Sequence, residues 1–284
     1  MINKSTLHKL FSPKATAAVI LIALVVAGAY AIIHKKNLKS DVASPVENAE
    51  LAIKPTGLDV AQPVKNIGDV EKVIAKWVEV NPAAIIQSVV AMQQKAAEKQ
   101  QNEAQKNISS KQSELFKGKN DPAYAPKGYD VSIVEFFDYN CGYCKKVQTS
   151  VEELIKQDKK VRIIFKELPI LGQSSVELSK VSIAVNIVSA ESYLGFHNAI
   201  MKGNPRTKED ALAIAKGLGI DTKKVEKALE SKKSEIEAQI KTNQELASTI
   251  GINGTPAFVI GENLIPGALD TAALKERVAT ERKK

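Results

Sequence analysis

The chain has 284 residues, of which 44% are hydrophobic and 25% charged, with a formal net charge of +8 and 2 cysteines. That length holds one large or two small domains, and the composition is neither collagen-like nor that of a disordered chain. Two cysteines are too few for a disulfide-stapled scaffold or a four-cysteine zinc site.

The charge is concentrated at one end. Lys4, Lys9, Lys14, Lys35, Lys36 and Lys39 lie in the first 40 residues, which contain no acid, so 34 basic residues face 32 acidic ones in the remainder. A basic excess confined to one terminus is not the footprint of a nucleic-acid binder. The three leading lysines precede an uncharged run of 19 residues, Ala15 to Ile33, which contains the small-residue pattern Ala29-Tyr30-Ala31. This layout predicts a signal peptide or membrane anchor over residues 1–36, with cleavage and retention both open. The remainder of the chain is expected outside the cytoplasm, because the positive flank stays within. A buried helix of a soluble domain is the alternative.

Residues 37–68 are polar, with Pro45, Pro55 and Pro63 spaced through them, and read as a flexible linker. Two helical patterns follow. The first, from about Asp69 to Val78, places Val70, Val73, Ile74, Trp77 and Val78 on one side. The second opens with Asn81 as N-cap and Pro82 at the first helical position, and carries Ile85, Ile86, Val89, Val90 and Met92 at helical spacing. Beyond Ala97 it becomes Gln, Lys, Glu and Asn up to about Ser113. An apolar stripe at one end of a polar helix reads as an association surface on a solvated stalk, giving a helical oligomerisation domain over residues 69–120. Folding of the stripe back onto the main domain is the other reading.

Asp121-Pro122 and Ala125-Pro126-Lys127-Gly128 punctuate a boundary, after which a second domain is expected over residues 128–284. Val131 to Phe137 reads as a buried strand, Cys144 to about Lys156 as a helix and Val161 to Phe165 as a strand, a βαβ unit with a parallel pair. Residues 174–250 are helical in pattern, with Asp221 as a cap and Val225 and Leu229 inside. Strand signals return at Ala257–Ile260 and Leu264–Ile265, before a last helix from about Asp270 to Arg282. The fold class is therefore α/β, a helical block inserted between the two halves of a sheet, with no internal repeats.

Cys141-Gly142-Tyr143-Cys144 falls where a strand hands over to a helix. At i and i+3 on a first helical turn the sulfurs can approach at the roughly 5 to 6 Å Cα separation a disulfide prefers. A cysteine at a helix N-terminus is biased to the thiolate by free backbone N–H groups and the dipole, and the thiolate is the attacking species in exchange. After a strand in a βαβ unit, C-x-x-C reads as a redox pair. Half of a metal site shared between subunits and a purely structural disulfide are the weaker alternatives. Glu135, on a strand otherwise built from Val134, Phe136 and Phe137, has a raised pKa if it faces inward and can relay a proton to or from Cys144; alternation alone also allows it to face solvent. Thr255-Pro256, after Gly251-Ile252-Asn253-Gly254 and before a strand, is suited to a cis peptide bond. Glu167-Leu168-Pro169 reads only as a turn. His197, beside the aromatic stretch from Tyr193 to Phe196, reads as packing, and Lys159-Lys160 and Lys232-Lys233 as solvated faces.

The segments VEFFDYNCGYC, FKELPILG and GTPAFVIG resemble the exported DsbA family of thiol-disulfide oxidoreductases. Within it, the chain is similar to the subgroup with an N-terminal oligomerisation domain, the ScsC-like proteins and outer-membrane antigen relatives. The resemblance implies a thioredoxin fold with an inserted helical domain. It makes Cys141 the nucleophile, Cys144 the resolving cysteine, Glu135 the buried acid, and Pro256, preceded by Thr255, the cis-proline beside the disulfide. Oxidases of the family usually carry Pro-His between the cysteines; here Gly142 and Tyr143 take those places, as in DsbC-type isomerases, which also have Thr before the cis-proline. Tyr143 adds no positive charge, so Cys141 is expected to be less acidic than in a strong oxidase.

These readings predict an exported disulfide isomerase or reductase with some oxidase activity. Its expected partners are cysteine-containing clients, a membrane redox partner and further copies of itself in a homodimer or homotrimer. No nucleic acid, metal or organic cofactor is implied. Its expected place is the periplasm or cell envelope of a bacterium. A dedicated dithiol oxidase and a membrane-tethered scaffold or surface antigen are the rivals.

Overall fold

The computed structural model describes residues 66–284. The export signal and nearly all of the linker expected from the sequence lie outside the described residues. Of these, residues 66–87 fall in one compact unit and Ser88–Lys284 in a second.

In the first unit, helix α1 (Ile67–Val80) begins at Asn66, whose side-chain oxygen accepts from the Asp69 amide at 3.2 Å. This satisfies one of the orphan donors of a helix start. None of its residues is buried, and Ile67, Val70, Ile74 and Val78 are exposed. Helix α2 (Pro82–Ser110) starts at the proline, as its fixed φ favours. Ile85 and Ile86 near its start are exposed, as are Val89, Val90 and Met92 further on. Among the described residues no single helix is long and apolar enough to cross a membrane.

The second unit corrects the expectation of a stalk that is solvated to its end. Ala104 and Ile108 of α2 and Leu115 of the short helix α3 (Gln112–Phe116) are buried, the last two fully. Ile108 and Leu115 pack in a layer with Val134, Phe136, Ile164 and Leu246. Three apolar residues at spacings of four and seven, amid Gln, Lys and Glu, are enough to seat a helix but leave a weak periodic signal. The punctuation at Asp121 to Gly128 therefore lies inside a packed unit. It contains a two-residue edge strand, β1 (Ala123–Tyr124), which the sequence does not foreshadow.

Five strands form one sheet. β2 (Val131–Phe137) and β3 (Val161–Glu167) pair in parallel, from Val131 opposite Val161 to Phe137 opposite Glu167. Helix α4 (Gly142–Gln157) connects them, the crossover a parallel pair needs. β1 lies antiparallel on the outer edge of β3. On the other side of β2 come β4 (Ala257–Ile260) and β5 (Asn263–Pro266), antiparallel in turn, giving the order β1-β3-β2-β4-β5.

Between β3 and β4 the chain makes a helical excursion of α5 (Gln173–Val188), α6 (Tyr193–Lys202), α7 (Lys208–Gly217), α8 (Thr222–Ser231) and α9 (Lys233–Thr249). Asp221 caps α8 through the Lys224 amide, and Val225 is buried within it. Helix α10 (Thr271–Glu281) closes the chain, capped by Asp270. Strand alternation divides the core. Ile133 and Phe137 face α4 and the insert, whereas Val134 and Phe136 face α2, α3 and the end of α9. Lys166 and Asp121 form a buried ion pair at 2.6 Å on the β1 side.

Candidate active site

The site grows from the end of β2. Asp138 leaves the strand and folds back as an Asx turn, its carboxylate accepting from the Asn140 amide at 2.7 Å. The same carboxylate accepts from the Ser175 hydroxyl at 2.7 Å and from the Ile170 and Leu171 amides at 2.8 and 3.0 Å. The Asp138 carbonyl accepts from the Cys141 amide at 3.1 Å. The turn that delivers Cys141 is thus tied to the loop after β3 and to α5. Tyr139, in this turn, is fully buried. Its hydroxyl lies 2.6 Å from Ser182 Oγ and 3.2 Å from His197 Nδ1.

Cys141 is the N-cap of α4, and its sulfur accepts from the Cys144 amide at 3.3 Å. Both cysteines are free thiols. A hydrogen bond from the Cys144 thiol pulls the Cys141 thiol down to about 5, against the effect of burial, and the backbone amides of Cys144 and Tyr143 add to it. Donors at a helix N-terminus favour the charged sulfur. Cys144, fully buried one turn later, is pushed far up by loss of solvent and by its bond to Cys141, so it keeps its proton. The two sulfurs are therefore unlike: one nearly buried sulfur favoured as thiolate at the helix start, one fully buried thiol.

Glu135 faces inward. Its neighbours in the sheet are Phe165 on β3 and Phe258 on β4, and it shares the α4-facing side of β2 with Ile133 and Phe137. Both carboxylate oxygens are buried with no hydrogen-bond partner. Burial pushes its pKa up to about 8, with the Cys141 charge adding to the effect, and its own charge in turn raises Cys144. Solvent is excluded on both sides of β2, so the alternative of a surface-facing Glu135 is not what the fold adopts.

The Thr255–Pro256 bond is cis, and the Thr255 carbonyl oxygen lies 3.3 Å from the Cys141 sulfur, accepting from it when Cys141 is protonated. Cys141, Cys144, Thr255 and Glu135 thus converge from β2, α4 and the loop before β4. Gly142 is exposed with open space where a Cβ would stand, and the exposed Tyr143 ring carries the Lys146 ammonium 5.3 Å from its centroid. A partner approaching Cys141 meets a bare backbone and an aromatic face.

Glu167 is more than the turn expected of it. It is fully buried, and its Oε1 accepts from the Ser182 and Tyr193 hydroxyls at 3.1 Å each. Burial pushes its pKa up to about 7. His197 is packed against the Phe137, Tyr139, Phe165 and Tyr193 rings and shares a hydrogen bond with Gln148 of α4 at 3.0 Å. Burial holds it down to about 3, so it is a neutral packing residue. Asp138, Tyr139 and Ser182 escape a sequence reading that looks for chemistry. Only the Asp-x-Asn spacing of the Asx turn is a local signal for one of them. No group of three or more metal-binding side chains occurs among the described residues.

A parallel βα unit within a mixed sheet, a helical excursion before the antiparallel hairpin, and two unlike thiols beside a cis-proline define a thioredoxin-fold protein with a dithiol centre. The DSBA-like thioredoxin domain matches residues 132–279, just over half of the chain, and the chain belongs to that family. Among solved structures, it is similar to the thiol-disulfide exchange protein alpha-DsbA2 from Wolbachia pipientis. Identity there is 30% and the TM-score 0.60, over 63% of this chain and 96% of that one. The catalytic domain of ScsC from Proteus mirabilis matches at 28% identity and a TM-score of 0.58, over 63% of this chain and 99% of that one. The thiol:disulfide interchange protein DsbA of Burkholderia cepacia is 28% identical over 147 residues, 49% of this chain and 66% of that protein. A segment of 159 residues, 56% of the chain, is also 21% identical to the Na(+)/H(+) antiporter NhaA 3 of Salinispora tropica, of which it spans only 24%.

Proposed function

We propose that the chain is an exported protein thiol-disulfide oxidoreductase, acting chiefly as isomerase and reductase on cysteine-containing clients. The observation that carries the thiol-disulfide chemistry is the asymmetry of the pair, Cys141 at about 5 backed by a buried thiol that holds its proton, and the Gly142-Tyr143 dipeptide with Thr255 before the cis-proline is what favours isomerase and reductase within it. In the forward step the Cys141 thiolate attacks one sulfur of a client disulfide. The client S–S bond breaks, a mixed disulfide forms, and the other client sulfur leaves as thiolate. In isomerisation a client thiolate attacks the client sulfur of the mixed disulfide and expels Cys141, with no net change in oxidation state. In reduction Cys144 gives up its proton, attacks Cys141 and releases the client as a dithiol. The pair is left as a disulfide, and two electrons have passed to the client. Re-reduction, or re-oxidation where the cycle runs as an oxidase, falls to a membrane redox partner.

Glu135 is assigned the proton transfers of Cys144, since its charge, with that of Cys141, is felt by that buried thiol and its two oxygens have no other partner. Thr255 and Pro256 present backbone to the client, and Gly142 and Tyr143 set what reaches the sulfur. The apolar residues of α1 and the start of α2 support a homodimer or homotrimer, which brings several dithiols to one client and raises their effective concentration. The N-terminal layout and the family support a place in the bacterial periplasm or cell envelope.

One observation favours a second reading, a dedicated oxidase. Lacking a cation from Tyr143, Cys141 was expected to be a weaker acid, yet its hydrogen bonds alone draw it to about 5. A stabilised thiolate makes a disulfide more oxidising. Equilibration with glutathione decides between the readings: a potential near −120 mV, that of a strong oxidant, selects the oxidase. The redox function itself is tested by recovery of a scrambled-disulfide protein, which the reduced chain restores and Cys141→Ala does not. Equal recovery with Cys141→Ala would remove this function.

A further inference from the structure

A row of buried polar side chains runs from the end of β3 to α4. Glu167 Oε1 lies 3.1 Å from Ser182 Oγ, which lies 2.6 Å from the Tyr139 hydroxyl. That hydroxyl lies 3.2 Å from His197 Nδ1, and His197 Nε2 lies 3.0 Å from Gln148 Oε1. All five residues are buried. Tyr139 stands two residues before Cys141 and Gln148 four after Cys144, so the row straps the turn that carries one sulfur to the helix that carries the other. We propose that Glu167 is a positioning residue for the dithiol, and that the proton on its carboxyl decides whether this strap is complete. The inference rests on the redox function proposed above.

Counting donors fixes the direction of every link. Gln148 Oε1 can only accept, so its bond requires a proton on His197 Nε2. Gln148 is held in that orientation by the bond its Nε2 donates to Asn198 Oδ1. Burial keeps the imidazole neutral, so Nδ1 then bears a lone pair and accepts from Tyr139. With its proton used there, Tyr139 accepts from Ser182, and Ser182 has none left for Glu167. A protonated carboxyl completes the row, donating from Oε1 to Ser182 Oγ. Ionised Glu167 reverses the order: Ser182 donates to Glu167, Tyr139 to Ser182, and His197 Nδ1 to Tyr139. Each proton has moved one link along, one has left to water, and the bare Nε2 faces the Gln148 oxygen. The last link is lost, and α4 is untied from the turn.

Within the row only the carboxyl changes charge near neutral pH. Burial pushes Glu167 up to about 7, and Asp121, before β1 and paired with Lys166, adds to the effect. Tyr139 and, from α6, Tyr193 are held well above the usual phenol range by burial. From α9, Asn243 donates to the Glu167 backbone carbonyl at 3.2 Å. On β2, Glu135 also titrates high, at about 8, and its charge raises Tyr139.

The test uses the full chain. Glu167→Gln keeps a donor towards Ser182 at every pH, and Ser182→Ala cuts the row one link along. Nitrogen NMR of the imidazole reads the tautomer. Wild-type His197 should carry its proton on Nε2 at pH 5 and on Nδ1 at pH 8; Glu167→Gln should keep it on Nε2 at both, and Ser182→Ala should show no switch. The wild-type tautomer needs no variant to fold. Release of a cysteine peptide from its mixed disulfide with Cys141 reads the positioning. The rate in Glu167→Gln relative to wild type should be near one at pH 5 and about two- to tenfold higher at pH 8, the worth of one hydrogen bond. Glu135 is the same in both chains and cancels in that ratio, whereas a merely structural role shifts the ratio equally at both pH values. A wild-type tautomer that does not make this change, or a ratio independent of pH, overturns the assignment and leaves the redox function standing. A wild-type chain that forms no mixed disulfide overturns the redox reading and the positioning role with it.

Discussion

The Cys144 amide nitrogen lies 3.3 Å from the Cys141 sulfur, so the residue proposed to resolve the mixed disulfide also helps hold the first sulfur charged. Its side chain contributes most to lowering Cys141, with the backbone amides behind it. Removing that side chain separates the two contributions. In reduced Cys144→Ala, Cys141 should titrate about one to two pH units higher, the worth of a hydrogen bond to a charged group. Thiolate absorbance against pH reads the shift. No shift would mean that the helix terminus alone sets the acidity.

The depressed Cys141 pKa also fixes a sign. The folded, reduced chain holds fewer protons at Cys141 than the unfolded chain between about 5 and the ordinary value of 9.0. Its contribution to stability is therefore present above 9.0 and fades as pH falls towards 5. A disulfide has no thiol to titrate. The stability of the reduced form relative to the oxidised form should rise with pH across this window, as paired denaturant titrations at pH 5 and pH 8 would record. A flat difference contradicts the assignment.

Glu135 acts in the opposite direction. Its pKa is raised from 4.5 to about 8, so the folded state holds the extra proton and stability falls as pH climbs through that interval. Glu135→Leu removes a buried carboxyl with two unsatisfied oxygens and should raise the melting temperature, more at pH 8 than at pH 5. The same variant should slow resolution of a trapped mixed disulfide by about 10² or more, the usual scale of proton-transfer catalysis. Faster melting with unimpaired resolution would strip Glu135 of its role.

Tyr139→Phe should cost about 1–3 kcal/mol in urea unfolding, because Ser182 Oγ and His197 Nδ1 each lose a buried partner. The ring itself stays packed on Phe137 and His197. An unchanged midpoint would show that water replaces the hydroxyl.

Ile108→Ala tests the seat of α2. A fully buried isoleucine cut to alanine should cost about 2–5 kcal/mol. Ile86→Ala, at an exposed position, should leave the melting of the catalytic unit unchanged and lower the mass of the assembly in solution. Equal effects of the two substitutions would refute the division of α2 into an associating start and a packed end.

The local parts of the site are legible in the sequence because they are contiguous. Cys141 to Cys144 and Thr255-Pro256 each sit within four residues, and strand-to-helix punctuation says where the first pair lies. The sheet is legible for the same reason: Val131–Phe137 and Val161–Phe165 are short, largely apolar runs flanked by turn residues, and the parallel pairing follows from the helix between them. What sequence reading leaves open or misses depends on residues far apart in the chain. Glu135 has period-two neighbours on both faces, and only β4 and α4 closing over it bury it. Glu167, Ser182, Tyr193, Tyr139 and His197 come from four segments and meet through the helical insert. Ile108 looks like one apolar residue in a polar helix until Val134 and Ile164 are found beneath it.

The sequence by itself therefore determined the chemistry available to this protein: a vicinal dithiol at a helix start, a proline loop before a strand, and an acid within an apolar strand. Tertiary structure decided how that chemistry is poised. Which sulfur is charged, which acid is protonated and where α2 ceases to be free follow from burial and from hydrogen bonds between distant segments. Loss of solvent, which sets those energies, belongs to the packed fold and is not a property of any short stretch of residues.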